Sequence, residues 1–186
     1  ADHVEAHTNL GDTYVKLGKV EEAIIEYRSA LKLNPSYDHA LYGLAAVYTD
    51  LGQIEEIEEA EDMLEKIAEG RSEYVPFAYN LLGNIRLKKG DTDGAIEEYK
   101  LATKAGPAYI EAHFNLAMLY NKTGRTREAA EVYELIIKID PGFIPAYNNL
   151  GYVYEKLGEI EKAEKVYNSA IESIPQEWET YYNLGM

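Results

Sequence analysis

The sequence predicts an all-α fold, a row of antiparallel helix pairs repeated along one chain, and three observations predict it. A short pattern returns: Asn9-Leu10-Gly11 followed by Tyr14, Asn115-Leu116-Ala117 followed by Tyr120, Asn149-Leu150-Gly151 followed by Tyr154, and finally Asn183-Leu184-Gly185, with a step of 34 residues between the last three copies. Small residues recur in register, as do tyrosines. Glycine and proline punctuate each copy at fixed offsets. A self-similar period of this length marks a stacked repeat architecture, which builds a surface rather than a catalytic pocket.

The elements follow from the frame that opens at Val4, with repeats starting at Val4, Asp38, Pro76, Ile110 and Ile144 and a partial repeat from Trp178, in a single array over residues 1–186. The eighth position of each repeat is Gly11, Ala45, Gly83, Ala117, Gly151 or Gly185, and the twentieth is Ala23, Ala60, Ala95, Ala129 or Ala163. Small side chains at both places predict a close crossing of a first helix, A, over a second, B. Leu10, Tyr14 and Tyr27 fill the space around that crossing in repeat one, as do Leu150, Tyr154 and Tyr167 in repeat five. Gly18, Gly52, Gly90, Gly124 and Gly158 are placed to end helix A in the left-handed conformation. Pro35, Pro107, Pro141 and Pro175 are placed to stop helix B.

Repeat two departs from the rule. It has 38 residues, and its surplus, Gln53 to Glu59, is expected to lengthen the start of helix B. It lacks the proline, so Gly70 is expected to end the helix and Pro76 to open the next. Repeat three carries Arg86 where a core tyrosine is usual; its stem can pack while its head reaches solvent or a glutamate. Asp91-Thr92-Asp93-Gly94 has the opening of a calcium loop but not the closing ligands, and is expected to cap a helix.

These registered copies resemble the tetratricopeptide-repeat family over almost the whole chain. The resemblance implies a right-handed solenoid of helix pairs in which helix A lines a concave groove that binds extended or helical peptides. Positions two, five, nine and twelve of helix A would face that groove. They place Tyr42, Phe77, Asn80, Asn84, Phe114, Met118, Asn121, Asn148 and Tyr152 there, an aromatic and amide-rich stripe suited to a peptide backbone and its apolar side chains. Asn9, Asn115, Asn149 and Asn183 at position six resemble the asparagine ladder of O-GlcNAc transferases, broken here by Gly43 and Leu81. The Lys, Asn and Arg set with which some members grip a C-terminal carboxylate is replaced by Thr8, Asp12, Gly43, Phe77 and Leu81.

Composition narrows the partners. Thirty-three acidic against 18 basic side chains give a net charge of −15, which argues against nucleic acid and anionic membranes. Cysteine is absent, so no disulfide framework is available. His3, His7, His39 and His113 lack the spacing of a zinc site, and His7 and His113 occupy packing positions. Asn121-Lys122-Thr123 is a glycosylation triplet that matters only in a secreted protein. No catalytic residue, metal or cofactor is expected. The expected function is protein–protein interaction through the groove. The alternatives are end-to-end self-assembly and service as a regulatory arm of a larger, O-GlcNAc-transferase-like enzyme. For self-assembly, the contact would join Trp178, Tyr181 and Leu184 to Val4 and His7 of a neighbouring copy, since the last segment is apolar and the first residues continue the repeat pattern.

Overall fold

The computed structural model describes residues 2–173. Among them are ten helices and no strand: α1 (Asp2–Lys16), α2 (Val20–Leu33), α3 (Asp38–Leu51), α4 (Ile54–Ala68), α5 (Val75–Lys88), α6 (Thr92–Ala105), α7 (Ile110–Lys122), α8 (Thr126–Ile139), α9 (Ile144–Lys156) and α10 (Ile160–Ser173). They group into two compact units, one up to Pro107 and one from Ala108. In the first, α1 packs on α2, α3 on α4 and α5 on α6, and the odd-numbered helices also touch one another, so that α1, α3 and α5 form one face. In the second, α7 packs on α8, α8 on α9 and α9 on α10.

Backbone stereochemistry explains where the helices stop. Gly18, Gly52, Gly90, Gly124 and Gly158 follow the odd-numbered helices with φ between 70° and 79°. A side chain at Gly18, Gly90, Gly124 or Gly158 would meet nothing within 4 Å. The left-handed backbone, not lack of room, therefore selects glycine there. The even-numbered helices end by a different rule. A residue before proline is pushed out of the helical region, and Asn34, Gly106 and Asp140, each preceding a proline, have φ of −142°, −128° and −135°. Repeat two lacks that proline, and its cap, Glu69, stays right-handed at φ −71°. Gly70 is not a left-handed cap: α4 is already over at Ala68, and the Gly70 amide bonds to Ile67 O. Its crossing residue, Ala60, stands six residues into α4, whereas Ala23, Ala95, Ala129 and Ala163 stand three residues into theirs, so the surplus adds about a turn at the start of α4. Asp91 caps α6, its Oδ1 accepting from the Gly94 amide at 2.9 Å.

The core is built from one contact used repeatedly. A Cβ on Gly11, Gly83 or Gly151 would lie 2.7, 2.5 or 2.3 Å from Cε1 of Tyr27, Tyr99 or Tyr167 on the paired helix. The tyrosine ring occupies the space a side chain would need, and that close approach is what brings helices A and B together. Gly43 is held by the same ring, because a Cβ there would come within 2.7 Å of Tyr27. Tyr27 thus clamps α1 and α3 at once, and Gly43 interrupts the position-six asparagines for a packing reason. The ring also aims its hydroxyl at position nine of helix A. Tyr27 donates to Asp12 Oδ1 and Tyr99 to Asn84 Oδ1, both at 2.7 Å. In repeat four position nine is Met118, and the buried Tyr133 hydroxyl has no partner among the described residues. Burial alone pushes its pKa up to about 12. Arg86 runs between Glu61 (3.8 Å) and Glu98 (3.9 Å), so its head is paired rather than free in solvent. Burial raises the Glu98 pKa, and Arg86 opposes that shift.

Two stability predictions follow from this contact. Gly151→Leu drives a side chain into the Tyr167 ring and should destabilise the chain by about 1–3 kcal/mol or more in thermal melts; an unchanged melting temperature would contradict the packing described. Tyr99→Phe should cost about 1 kcal/mol through loss of the Asn84 bond, whereas Tyr133→Phe, which removes an unpartnered buried hydroxyl, should be neutral or stabilising. Equal costs in urea unfolding would contradict the asymmetry.

Candidate functional site

The helix-A face of the first unit carries a continuous run of rings. Tyr37 lies 6.2 Å from His39, His39 stacks on Tyr74 at 5.4 Å, and Tyr74 sits 5.7 Å from Tyr42 and 6.1 Å from Phe77. Phe77 closes the cluster on Tyr42 at 6.0 Å. Tilted pairs at these separations are favourable and stiffen the surface. Helix periodicity supplies His39, Tyr42 and Phe77. The turns supply Tyr37 and Tyr74, which immediately precede α3 and α5. Beside the rings is a hollow of about 250 Å³, lined by Asp12 and Val15 of α1, His39, Tyr42, Ala46 and Asp50 of α3, and Tyr74. Asp12 is fixed on both oxygens, by the Tyr27 hydroxyl and by His39 Nε2, 3.0 Å from Oδ2. Of the predicted groove residues here, Tyr42 and Phe77 are half-buried at the face, Asn84 serves Tyr99, and Asn80 is enclosed at 3 % exposure.

In the second unit the face is formed by α7 and α9. Phe114 makes edge contacts with Tyr133 at 5.9 Å and with Phe143, which precedes α9, at 5.4 Å. Met118 and Tyr152 are 49 % and 51 % exposed, and Asn148 is exposed as well. Lys156 bridges the helices, donating to Asn121 Oδ1 at 2.8 Å while its ammonium stands 5.7 Å from the Tyr152 ring. This face therefore combines apolar side chains with amides and a lysine beside Tyr152, whereas the first gathers rings next to the carboxylates of Asp12 and Asp50.

The residue preceding each odd-numbered helix after α1 is Tyr37, Tyr74, Tyr109 or Phe143. Sequence reasoning passed over these turn aromatics and over Asp12, Asp50 and His39 as members of a site. The recurrence of an aromatic just before each helix A is the signal that could have found them. Of the position-six asparagines, Asn149 donates through Nδ2 to Pro145 O of its own helix at 2.8 Å, and Asn183 lies outside the described residues. His113 is buried, and His7 Nδ1 lies 2.6 Å from Glu26 Oε2. Val4 is half-buried against the core of the first unit, while Leu17 of the α1–α2 turn is 63 % exposed. Trp178, Tyr181 and Leu184 lie outside the described residues. A second hollow, about 550 Å³, sits off this face at the α3–α4 turn, beside Ile54 and Lys88. Among the described residues no group of His, Asp or Glu is arranged to hold a metal, and no helix is long and apolar enough to cross a membrane.

Known proteins place this architecture. Models described as TPR repeat or tetratricopeptide repeat match residues 11–52, 49–110, 86–150 and 144–177. BBSome complex member BBS4 of Mus musculus is 35 % identical over 104 residues, 56 % of this chain but only 19 % of that protein, so the chain spans about a fifth of that relative. A crystal structure of MamA superposes with a TM-score of 0.73 at 29 % identity, covering 92 % of this chain and 97 % of that one. The structure of YrrB, described as a TPR protein with an unusual peptide-binding site, gives 0.64 at 25 % identity over 97 % and 91 %. With registered family matches from residue 11 to 177 and helix pairs throughout the described residues, this chain belongs to the tetratricopeptide-repeat family.

Proposed function

We propose that the chain is a non-catalytic interaction scaffold that captures an extended peptide or a partner's surface segment on its helix-A faces. The observation that carries this reading is the concentration of half-buried and exposed apolar rings on those faces: Tyr42, Tyr74 and Phe77 in one unit, Phe114, Phe143 and Tyr152 in the other. A scaffold needs its core tyrosines buried. Those of the packing positions, Tyr27, Tyr48, Tyr99 and Tyr133, are each no more than 2 % exposed. The ring run on the helix-A faces is additional to that need. Rigid aromatic side chains that lose little entropy on contact are the usual anchors of protein interfaces. Family membership supports the same role, since repeat arrays of this kind present extended surfaces to other proteins. The net charge of −15 turns the choice of partner away from nucleic acid and anionic lipid.

Peptides selected from a random heptapeptide display library on the full chain test the proposal. Tyr152→Ala and Tyr42→Ala should between them weaken every selected peptide by about 2 kcal/mol or more, as truncated hot-spot aromatics do. Far-UV circular dichroism should stay unchanged, and Glu131→Ala on the exposed side of α8 should leave binding intact. Peptides insensitive to both tyrosine changes would place the binding surface elsewhere.

A further inference from the structure

We propose that the hollow between α1, α3 and Tyr74 seats one basic side chain, an arginine or lysine, of the captured segment. This rests on the peptide-capturing role above and assigns its chemical preference in the first unit. The hollow holds about 250 Å³. That is below the range of about 300–1,000 Å³ usual for small-molecule sites, and it suits a single long side chain.

The walls match such a side chain along its length. Val15, Ala46 and Val47 offer an apolar surface to a methylene stem. Tyr42 and Tyr74 stand 5.7 Å apart beside it, and the faces of such rings attract cations. Two carboxylates, Asp12 and Asp50, reach the same hollow, and no lysine or arginine lines it. Asp12 accepts a hydrogen bond from Tyr27 on Oδ1, and His39 Nε2 stands 3.0 Å from Oδ2. An ionised carboxylate has about four acceptor sites, so capacity for a guanidinium or ammonium remains. Asp50 is exposed and forms no ion pair among the described residues.

The local field has the required sign. Burial pushes the Tyr74 hydroxyl above the usual tyrosine range, and the carboxylates of Glu73, Asp12 and Asp38 push it further the same way. The second unit offers an internal contrast. There Lys156 already stands over Tyr152, so that face provides no equivalent cation seat. The carboxylate grip of some family members is reversed here: acidic groups on the protein await a cation on the partner.

Solution NMR of the full chain tests this with two probes, a glycine–alanine heptapeptide carrying one central arginine and the same peptide carrying citrulline, which keeps the shape and loses the charge. The arginine peptide should shift the signals of Tyr42, Ala46, Asp50 and Tyr74. Asp50→Asn should weaken it by up to about fivefold, the scale of an exposed ion pair, with an unchanged melting curve. The citrulline peptide should leave those signals in place. Equal binding of both peptides at these residues would overturn the basic preference while leaving peptide capture by the face intact. No shift at these residues with either peptide would overturn the hollow as a side-chain seat, and capture by the faces would then stand or fall on the library-selected peptides alone.

Discussion

A tyrosine ring lying on a glycine backbone is the contact on which the rest of the structure depends. It sets how closely helix A crosses helix B in repeats one, three and five, where any side chain at Gly11, Gly83 or Gly151 would enter the ring. In repeat one it also fixes the next repeat, because the Tyr27 ring lies against both Gly11 and Gly43. A stack held by nearest-neighbour contacts has no central core, so each such contact governs its own stretch of surface. Position nine of helix A belongs to that surface, and the same tyrosine holds it from below through Asp12 or Asn84. Packing and the make-up of the helix-A face are thus joined in one side chain.

That coupling explains why the two units present different chemistry on one scaffold. In the first, the tyrosine hydroxyl finds a polar residue at position nine and holds a carboxylate or an amide at the face. In the second, Met118 takes that place in repeat four, the Tyr133 hydroxyl goes unpartnered among the described residues, and the face mixes apolar side chains with the amides of Asn121 and Asn148 and the Lys156 ammonium. The residue that follows the small crossing residue, Asp12, Asn84 or Met118, sets whether the tyrosine hydroxyl of the paired helix finds a partner.

Much of the fold was legible in the sequence because its determinants are local. The glycines after helix A report a backbone sign, and the prolines after helix B act on the residue before them; both effects are carried by single positions. Gly70 was expected to end α4, but the helix is over at Ala68 and its cap is Glu69. With no proline to expel Glu69 from the helical region, the helix stops without one. The site was legible only in part. Helix periodicity put Tyr42, Phe77, Phe114 and Tyr152 on the candidate face. It could not find Tyr74 or Phe143, which reach the face from turns outside the helical period, nor could it show that Asn80 is enclosed. The pairing of Asp12 with His39 joins two repeats and depends on how α1 lies beside α3.

The central claim is that the helix-A faces are where a partner lies. A crystal structure of the full chain with a library-selected peptide tests it most directly. The account predicts the peptide seated over Tyr42, Tyr74 and Phe77, or over Phe114, Met118 and Tyr152. A peptide seated on the outer sides of α2, α4, α8 or α10, with those rings bare, would contradict it.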